Sequence, residues 1–149
     1  MVDPEGYIDI NIFIYWLGSH PTYGKIAYEW IKKIEEAPQG KYVTSSLTLY
    51  QTLVILAGLT GKNLKNKTLV EEIVRSIVGL PGLAIAPLTA EDFFKAISLM
   101  EEYNLDYEDA IHLAIALRKK VIEIISNDED FDKAPLKRKF IQNVKINEP

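Results

Sequence analysis

Cysteine is absent from the 149-residue chain. Its absence excludes a disulfide framework, a zinc site built on thiolates and a cysteine nucleophile. The chain must therefore reach stability through an ordinary hydrophobic core, and its length suits a single domain over residues 1–149. A reducing compartment such as the cytoplasm suits a protein without cysteine.

Long apolar runs and an excess of positive charge are also missing. No run approaches the roughly 18 apolar residues of a membrane span, and the segment MVDPEGYIDI lacks the basic region that begins a signal peptide. The formal net charge is −4 at pH 7, whereas proteins that coat nucleic acids without specificity are usually basic. We therefore expect a soluble, cytoplasmic protein without membrane contact, which binds any nucleic acid through a local patch or through metal ions.

Several familiar catalytic motifs are missing as well. The chain has no glycine-rich phosphate loop, no Gly-x-Ser-x-Gly elbow and no His-Glu-x-x-His zinc motif. The segment DIN at Asp9 is similar to the start of phosphatases that form an aspartyl phosphate, but their second Asp corresponds to Asn11 here. None of these enzyme classes is therefore indicated.

What the chain does contain is an alternation of short apolar runs with amphipathic segments. The runs predict strands, and apolar residues at helical spacing predict helices between them. The predicted strands are 7–10, 42–46, 83–88 and 121–125, with 144–146 as a candidate fifth, and the predicted helices are 22–36, 47–59, 68–78, 90–103 and 108–120. This alternation predicts an α/β fold with a parallel sheet of four or five strands.

Three acidic residues fall where such a sheet presents its ligand site, beyond the carboxyl ends of the strands. Asp9 ends the first predicted strand, and Asp128 follows the fourth. Asp109 begins the helix before the fourth strand, and a helix in a parallel sheet starts at the edge where strands end. Gln51 lies in the first turns of the helix after the second strand. We therefore expect three carboxylates and one amide to converge at this edge.

Converging carboxylates repel one another, and a divalent cation removes that conflict. Oxygen ligands without a histidine or cysteine cluster suit Mg²⁺ or Mn²⁺. Such an ion lowers the pKa of bound water and stabilises the attacking and leaving oxygens at a phosphodiester. The sequence thus predicts Asp9, Asp109 and Asp128 as metal ligands and catalytic residues, whereas Glu129 and Asp132 are expected to be solvated loop acids.

Four segments carry most of these candidate residues: YIDINIFIY at 7–15, VTSSLTLYQTL at 43–53, LDYEDAIHLAIAL at 105–117 and IISNDEDFD at 124–132. Together they resemble the PIN-domain family, and within it the toxin ribonucleases of the VapC type. They occur in the family's order and spacing. The resemblance implies a three-layer α/β/α fold with a central parallel sheet, and Mg²⁺- or Mn²⁺-dependent hydrolysis of RNA phosphodiesters by a metal-activated water.

The resemblance also implies roles for residues beside the three acids. Asn11 would orient Asp9, and Ser126 would be the hydroxyl partner of Asp128 in a Ser-x-Asp-x-x-Phe pattern. Asp130 would be an accessory acid. Proteins of the VapC type are commonly homodimers and are held inactive by a small antitoxin, so both kinds of partner are expected here.

One position departs from the family pattern. The family usually has Glu where this chain has Gln51, and an amide keeps one oxygen ligand but loses a charge. Metal binding is therefore expected to weaken unless Glu108 or Asp130 compensates. The alternative to a ribonuclease is accordingly a catalytically weakened PIN domain that binds an RNA or an antitoxin. A metal-dependent nuclease for structured DNA is a third option.

Other residues near these motifs have an ordinary structural explanation. His112 shares a helix face with Asp109, and a hydrogen-bonded core histidine is its expected role. Tyr15 and Trp16 have the chemistry to stack a base, but core packing is expected for both. The basic residues at 61–67 and 137–139 suit phosphate contacts, and solvated loops explain them equally well.

Overall fold

The centre of the molecule is a sheet of five parallel strands. The computed structural model describes residues 2–141. Its strands are β1 (Gly6–Ile8), β2 (Tyr42–Ser45), β3 (Leu83–Ala86), β4 (Glu123–Ile125) and β5 (Lys137–Lys139). They lie in the order β3-β2-β1-β4-β5, and every neighbouring pair is parallel. The predicted α/β fold with a central parallel sheet is confirmed, and β1 is its middle strand.

Within residues 2–141, six α-helices cover the two faces of the sheet. They are α1 (Ile10–Leu17), α2 (Gly24–Glu36), α3 (Ser46–Leu59), α4 (Lys67–Val78), α5 (Ala90–Tyr103) and α6 (Tyr107–Arg118), and a short 3₁₀ helix follows at Glu129–Lys133. Side chains alternate along β1, so Ile8 packs in a core with α1 to α4 and Tyr7 packs in a second core with α5 and α6. The three-layer α/β/α arrangement is thus confirmed. None of these helices is long and apolar enough to cross a membrane.

Side-chain caps fix where α3 and α6 begin. Ser45 Oγ accepts a hydrogen bond from the backbone N–H of Thr48 at 3.1 Å, at the start of α3. Asp106 Oδ1 accepts from the backbone N–H of Asp109 at 2.8 Å, at the start of α6. A cap of this kind contributes about 1 kcal/mol to stability. The two caps place Gln51 and Asp109 in the early turns of their helices, at the carboxyl edge of the sheet.

The prediction for the first strand was wrong at its end. The strand was predicted to continue through residue 10, but β1 ends at Ile8 and α1, which was not predicted, begins at Ile10. Asp9 takes the N-cap position between them, with an extended backbone. Because α1 is apolar on nearly every side, its sequence shows neither a helical nor an alternating pattern.

The edge strand beside β4 was not predicted. The candidate at 144–146 lies outside the described residues, whereas Lys137–Lys139 forms β5. Three consecutive basic residues suggest a solvated loop, but charged side chains are common on edge strands because they prevent pairing with other molecules. The Lys139 ammonium is 2.6 Å from the Glu123 carboxylate on β4, which ties the edge strand to its neighbour.

Candidate metal centre

The ends of β1 and β4 bring Asp9 and Ser126 together at the centre of the sheet. Each residue directly follows its strand, and the two strands are paired. Asp9 is 4% exposed and Ser126 is fully buried. Ser126 Oγ donates a hydrogen bond to Asp9 Oδ2 at 2.6 Å. The buried carboxylate therefore has the partner that its loss of hydration requires.

Asn11 and Asp128 extend this hydrogen-bonded group. Asn11 Nδ2 donates to Ser126 Oγ at 3.1 Å and to Asp9 Oδ2 at 3.3 Å. The backbone N–H of Asp128 donates to Ser126 Oγ at 3.0 Å. The backbone N–H of Asn127 donates to Asn11 Oδ1 at 3.3 Å. These contacts join the first turn of α1 to the loop that follows β4.

Three acids form a compact set beside this group. One carboxylate oxygen from each of Asp109, Asp128 and Asp130 lies within 4.8 Å of the other two. We call these three residues the acidic set. Asp109 and Asp128 are half-buried, and Asp130 is exposed. Asp109 lies in the first turn of α6, while Asp128 caps the 3₁₀ helix by accepting the backbone N–H of Asp130 at 2.9 Å.

Burial and mutual repulsion change the protonation of these acids. Burial, followed by the charges of Asp128, Asp106, Asp9 and Asp130, raises the pKa of Asp109 from 3.8 to about 7. Burial is also the main cause that raises the pKa of Asp128, and nearby carboxylates add to it, although the N–H of Asp130 opposes the change. Carboxylates whose pKa is raised by burial and by like charges are characteristic of functional sites.

The acidic set fits a hard divalent cation by its chemistry. All its side-chain donors are carboxylate oxygens, which are the ligands that Mg²⁺ and Mn²⁺ prefer. Lys133 Nζ lies 3.6 Å from Asp130 Oδ1 and donates to the carbonyl of Asn104, so it compensates the exposed member of the set. A cation held by Asp109 and Asp128 would compensate the half-buried pair and lower both pKa values.

Two of the three predicted ligands lie in the acidic set, and the third is connected to it by hydrogen bonds. Asp109 and Asp128 belong to the acidic set, together with the predicted accessory acid Asp130. Asp9 is not a member of the set. It is connected to Asp128 through Ser126, which contacts both residues.

Gln51 faces a buried polar network. Its Oε1 lies 2.9 Å from His112 Nε2, and His112 Nδ1 lies 2.7 Å from the Tyr7 hydroxyl. The same hydroxyl lies 2.9 Å from Ser45 Oγ and 3.3 Å from Thr48 Oγ1. His112 is 1% exposed, and burial lowers its pKa, so the ring is neutral at pH 7. His112 is thus a hydrogen-bonded core histidine, as expected.

Two residues of this region were not identified from the sequence. Asp106 caps α6, and its charge is one of those that act on Asp109. Its position three residues before Asp109 is the spacing of an N-cap, which is a usable signal. Tyr7 lies in an apolar strand, where nothing in the sequence shows that its hydroxyl will bond to His112.

Replacing Ser126 with alanine is expected to lower the affinity for Mn²⁺ about tenfold, because residues that orient ligands typically contribute that much. The substitution removes the hydroxyl that contacts Asp9, Asn11 and the backbone of Asp128. Titration calorimetry measures the affinity. Ser76→Ala on α4 is the matched control, since Ser76 Oγ bonds only to the carbonyl of Glu72 among the described residues. An equal loss in both variants contradicts the expectation.

Known proteins share this architecture. A family model described as the PIN domain matches residues 6–137. No curated protein matches the sequence significantly. VapC20 of Mycobacterium tuberculosis, a toxin that cleaves the sarcin–ricin loop, has a similar solved structure, with a TM-score of 0.73, 14% identity and coverage of 91% of this chain and 99% of that chain.

Two assemblies also contain similar chains. A toxin–antitoxin complex from Klebsiella pneumoniae gives a TM-score of 0.63 and 22% identity, covering 88% of this chain and 93% of that chain. VapBC2 from Rickettsia felis, bound to a DNA fragment from its promoter, gives a TM-score of 0.59 and 16% identity, covering 90% of this chain and 96% of that chain. At these identities the likeness shows the fold, and the family match extends over most of the sequence. The chain therefore belongs to the PIN domain family.

Proposed function

We propose that this protein is an endoribonuclease of the VapC toxin type, which hydrolyses RNA phosphodiester bonds with the help of Mg²⁺ or Mn²⁺. The observation that carries the proposal is the acidic set at the carboxyl edge of the sheet. Its half-buried Asp109 has a pKa of about 7 because of burial and adjacent carboxylates. Such an arrangement is unfavourable unless a cation compensates it, which supports a metal-dependent role.

Each residue of the site has a role in this proposal. Asp9, Asp109 and Asp128 would hold one or two cations, with Asp130 as an accessory acid. When bound, a divalent cation supplies an activated water and stabilises charge at the phosphorus. Ser126 keeps the carboxylate of Asp9 in place, and the N–H of Asp130 does the same for Asp128. No side-chain nucleophile is required.

The proposed partners are RNA, a second copy of the chain and a small antitoxin. Similar chains occur in toxin–antitoxin complexes, which supports the antitoxin. Exposed apolar side chains on α3 supply area for such contacts, among them Tyr50 at 58% and Leu59 at 68% exposure. Val78 on α4 is 51% exposed. We also propose that residues 1–149 form a single PIN domain that acts in the cytoplasm, where its RNA substrate would be found.

Gln51 favours a second candidate function. A PIN domain that lacks one of the family's carboxylates would be catalytically weakened and would serve as a module that binds RNA or an antitoxin. The bond between Gln51 Oε1 and His112 supports this alternative, because it directs one amide atom into the core.

A cleavage assay tests the proposal directly. The purified protein is incubated with a labelled single-stranded RNA in Mn²⁺, in Mg²⁺ and in a chelator, with a flapped DNA in parallel. We expect cleavage of RNA only when a cation is present, and no cleavage of the DNA. RNA binding without cleavage in either metal would support the binding module instead. Cleavage of DNA alone would support the nuclease for structured DNA.

A further inference from the structure

A group of half-buried aromatic rings adjoins the candidate metal centre and has no part in the proposed chemistry. We call Tyr15, His20 and Tyr23 the aromatic shelf. The His20 ring stacks on Tyr23 with a centroid distance of 5.1 Å and an angle of 24°. Tyr15 lies edge-on to His20, with centroids 4.9 Å apart. The buried ring of Phe140 lies behind Tyr15 and Tyr23, at 6.0 and 5.7 Å. The shelf is therefore supported from within and partly open to solvent.

The shelf is connected to the acidic set through Asn127. Asn127 Nδ2 donates to the Tyr15 hydroxyl at 3.1 Å, and Asn127 directly precedes Asp128. The backbone N–H of Asn127 is held by Asn11, which lies one turn before Tyr15 on α1. Asn127 therefore links the shelf directly to Asp128 of the acidic set.

The loop that carries His20 fixes the direction of its ring. The backbone N–H groups of Thr22 and Tyr23 both donate to His20 Nδ1 at 3.0 Å. Since Nδ1 accepts, the ring hydrogen is on Nε2. The backbone N–H of His20 donates to the carbonyl of Tyr15 at 2.9 Å, and Ser19 has a positive φ of 51°. A left-handed backbone at a residue other than glycine is retained where the surrounding structure defines it closely.

Two hydrogen-bond donors, one on Tyr15 and one on His20, have no acceptor within residues 2–141. The Tyr15 hydroxyl accepts from Asn127, and its own hydrogen has no described partner. The Nε2–H of His20 has none either. Half-exposed rings stack unpaired bases, and adjacent donors match the phosphate, ribose and carbonyl oxygens of a nucleotide.

We propose that the aromatic shelf binds one nucleotide of single-stranded RNA next to the scissile phosphate and contributes to sequence preference there. The base stacks against the ring of His20, and the Tyr15 hydroxyl and the His20 Nε2–H donate to oxygens of the same nucleotide. This assignment rests on the proposed ribonuclease function, because the acidic set determines which part of the RNA reaches the shelf.

Two conservative substitutions test the shelf. Asparagine in place of His20 retains an acceptor for the two backbone N–H groups but removes the ring. Phenylalanine in place of Tyr15 keeps the ring and removes the hydroxyl, together with the bond that this hydroxyl accepts from Asn127. We expect His20→Asn to raise KM for single-stranded RNA about tenfold, in line with the loss of one stacked base, with kcat within about twofold of the native value. For Tyr15→Phe we expect about a threefold rise in KM, in line with one lost hydrogen bond.

The matched control is Tyr28→Phe on α2, because Tyr28 is 47% exposed and is not part of the shelf. Sequencing of cleavage products from a randomised RNA should show base preference at one flanking position that His20→Asn abolishes and Tyr28→Phe retains. Native KM values and native preference in both shelf variants overturn the inference.

Photocrosslinking of 5-iodouridine-substituted RNA in a chelator separates this inference from the proposed function. Crosslinks at Tyr15, His20 or Tyr23 in a protein that cleaves no RNA support the shelf and contradict the ribonuclease. RNA cleavage in cation with crosslinks only elsewhere contradicts the shelf and leaves the ribonuclease in place. The absence of both binding and cleavage overturns both.

Discussion

Replacing Asp109 with asparagine is expected to lower kcat/KM for RNA about a thousandfold. A bound cation contributes several kcal/mol of charge stabilisation at the transition state, and each 1.36 kcal/mol corresponds to a factor of ten. Asparagine keeps the size of the side chain but removes one of the two half-buried carboxylates of the acidic set. The same substitution has the opposite effect on stability, which distinguishes a lost function from a lost fold.

In the protein without metal, Asp109→Asn is expected to raise the melting temperature at pH 8. The pKa of Asp109 is raised by burial and by neighbouring carboxylates to about 7 in the folded state, against 3.8 as its ordinary value. The folded protein therefore binds this proton more tightly than the unfolded chain, so it loses stability as the pH rises from about 4 to about 7. Asparagine does not titrate. The stability gain should thus be absent at pH 4 and complete above pH 7.

Thermal unfolding followed by circular dichroism at pH 4, 6 and 8 measures this effect. After a discount for a half-exposed group, the gain at pH 8 is about 1–2 kcal/mol, or about 3–6 °C for a chain of this size. Glu129→Gln is the control, because Glu129 is an exposed acid that directly follows Asp128 and lies outside the acidic set. Equal changes in both variants, or a gain already present at pH 4, would contradict the assignment of Asp109.

The position of Asp109 was predictable from the sequence because it depends only on the order of strands and helices along the chain. A parallel sheet brings its strand ends and helix starts to one edge, so Asp9, Asp109 and Asp128 were expected there without knowledge of any side-chain contact. The finer geometry depends on side-chain directions. The fully buried Ser126 donates a hydrogen bond to Asp9. Asp9 therefore lies next to the acidic set but is not one of its members.

The elements that the sequence did not predict have a common physical cause. Helix α1 is apolar on nearly every side and directly follows the strand β1. The spacing of apolar residues therefore does not show where the strand ends and the helix begins. The strand β5 is formed by three basic residues that pairing with β4 holds in place. In both cases contacts with distant parts of the chain override a local pattern. The bond between Gln51 and His112 is of the same kind, since it joins residues 61 positions apart.

Replacing Gln51 with glutamate is expected to raise the affinity for Mn²⁺ about tenfold. One carboxylate oxygen can accept the hydrogen bond from His112 Nε2 that Gln51 Oε1 accepts now, and the other adds charge at the edge where the acids lie. A tenfold change is about 1.4 kcal/mol, well below the attraction between a carboxylate and a nearby divalent cation. The rest of that attraction is offset by repulsion between the new carboxylate and the neighbouring acids.

This substitution also separates the ribonuclease from the binding module. If the native chain is a working enzyme, Gln51→Glu should increase an RNA cleavage that is already measurable. If the native chain is a weakened module, cleavage should be found only in the variant. Calorimetric Mn²⁺ titration and RNA cleavage are compared with Asn63→Asp, which adds the same charge in an exposed loop after α3. An equal gain in affinity for Asn63→Asp would assign the effect to net charge and would remove Gln51 from the metal centre.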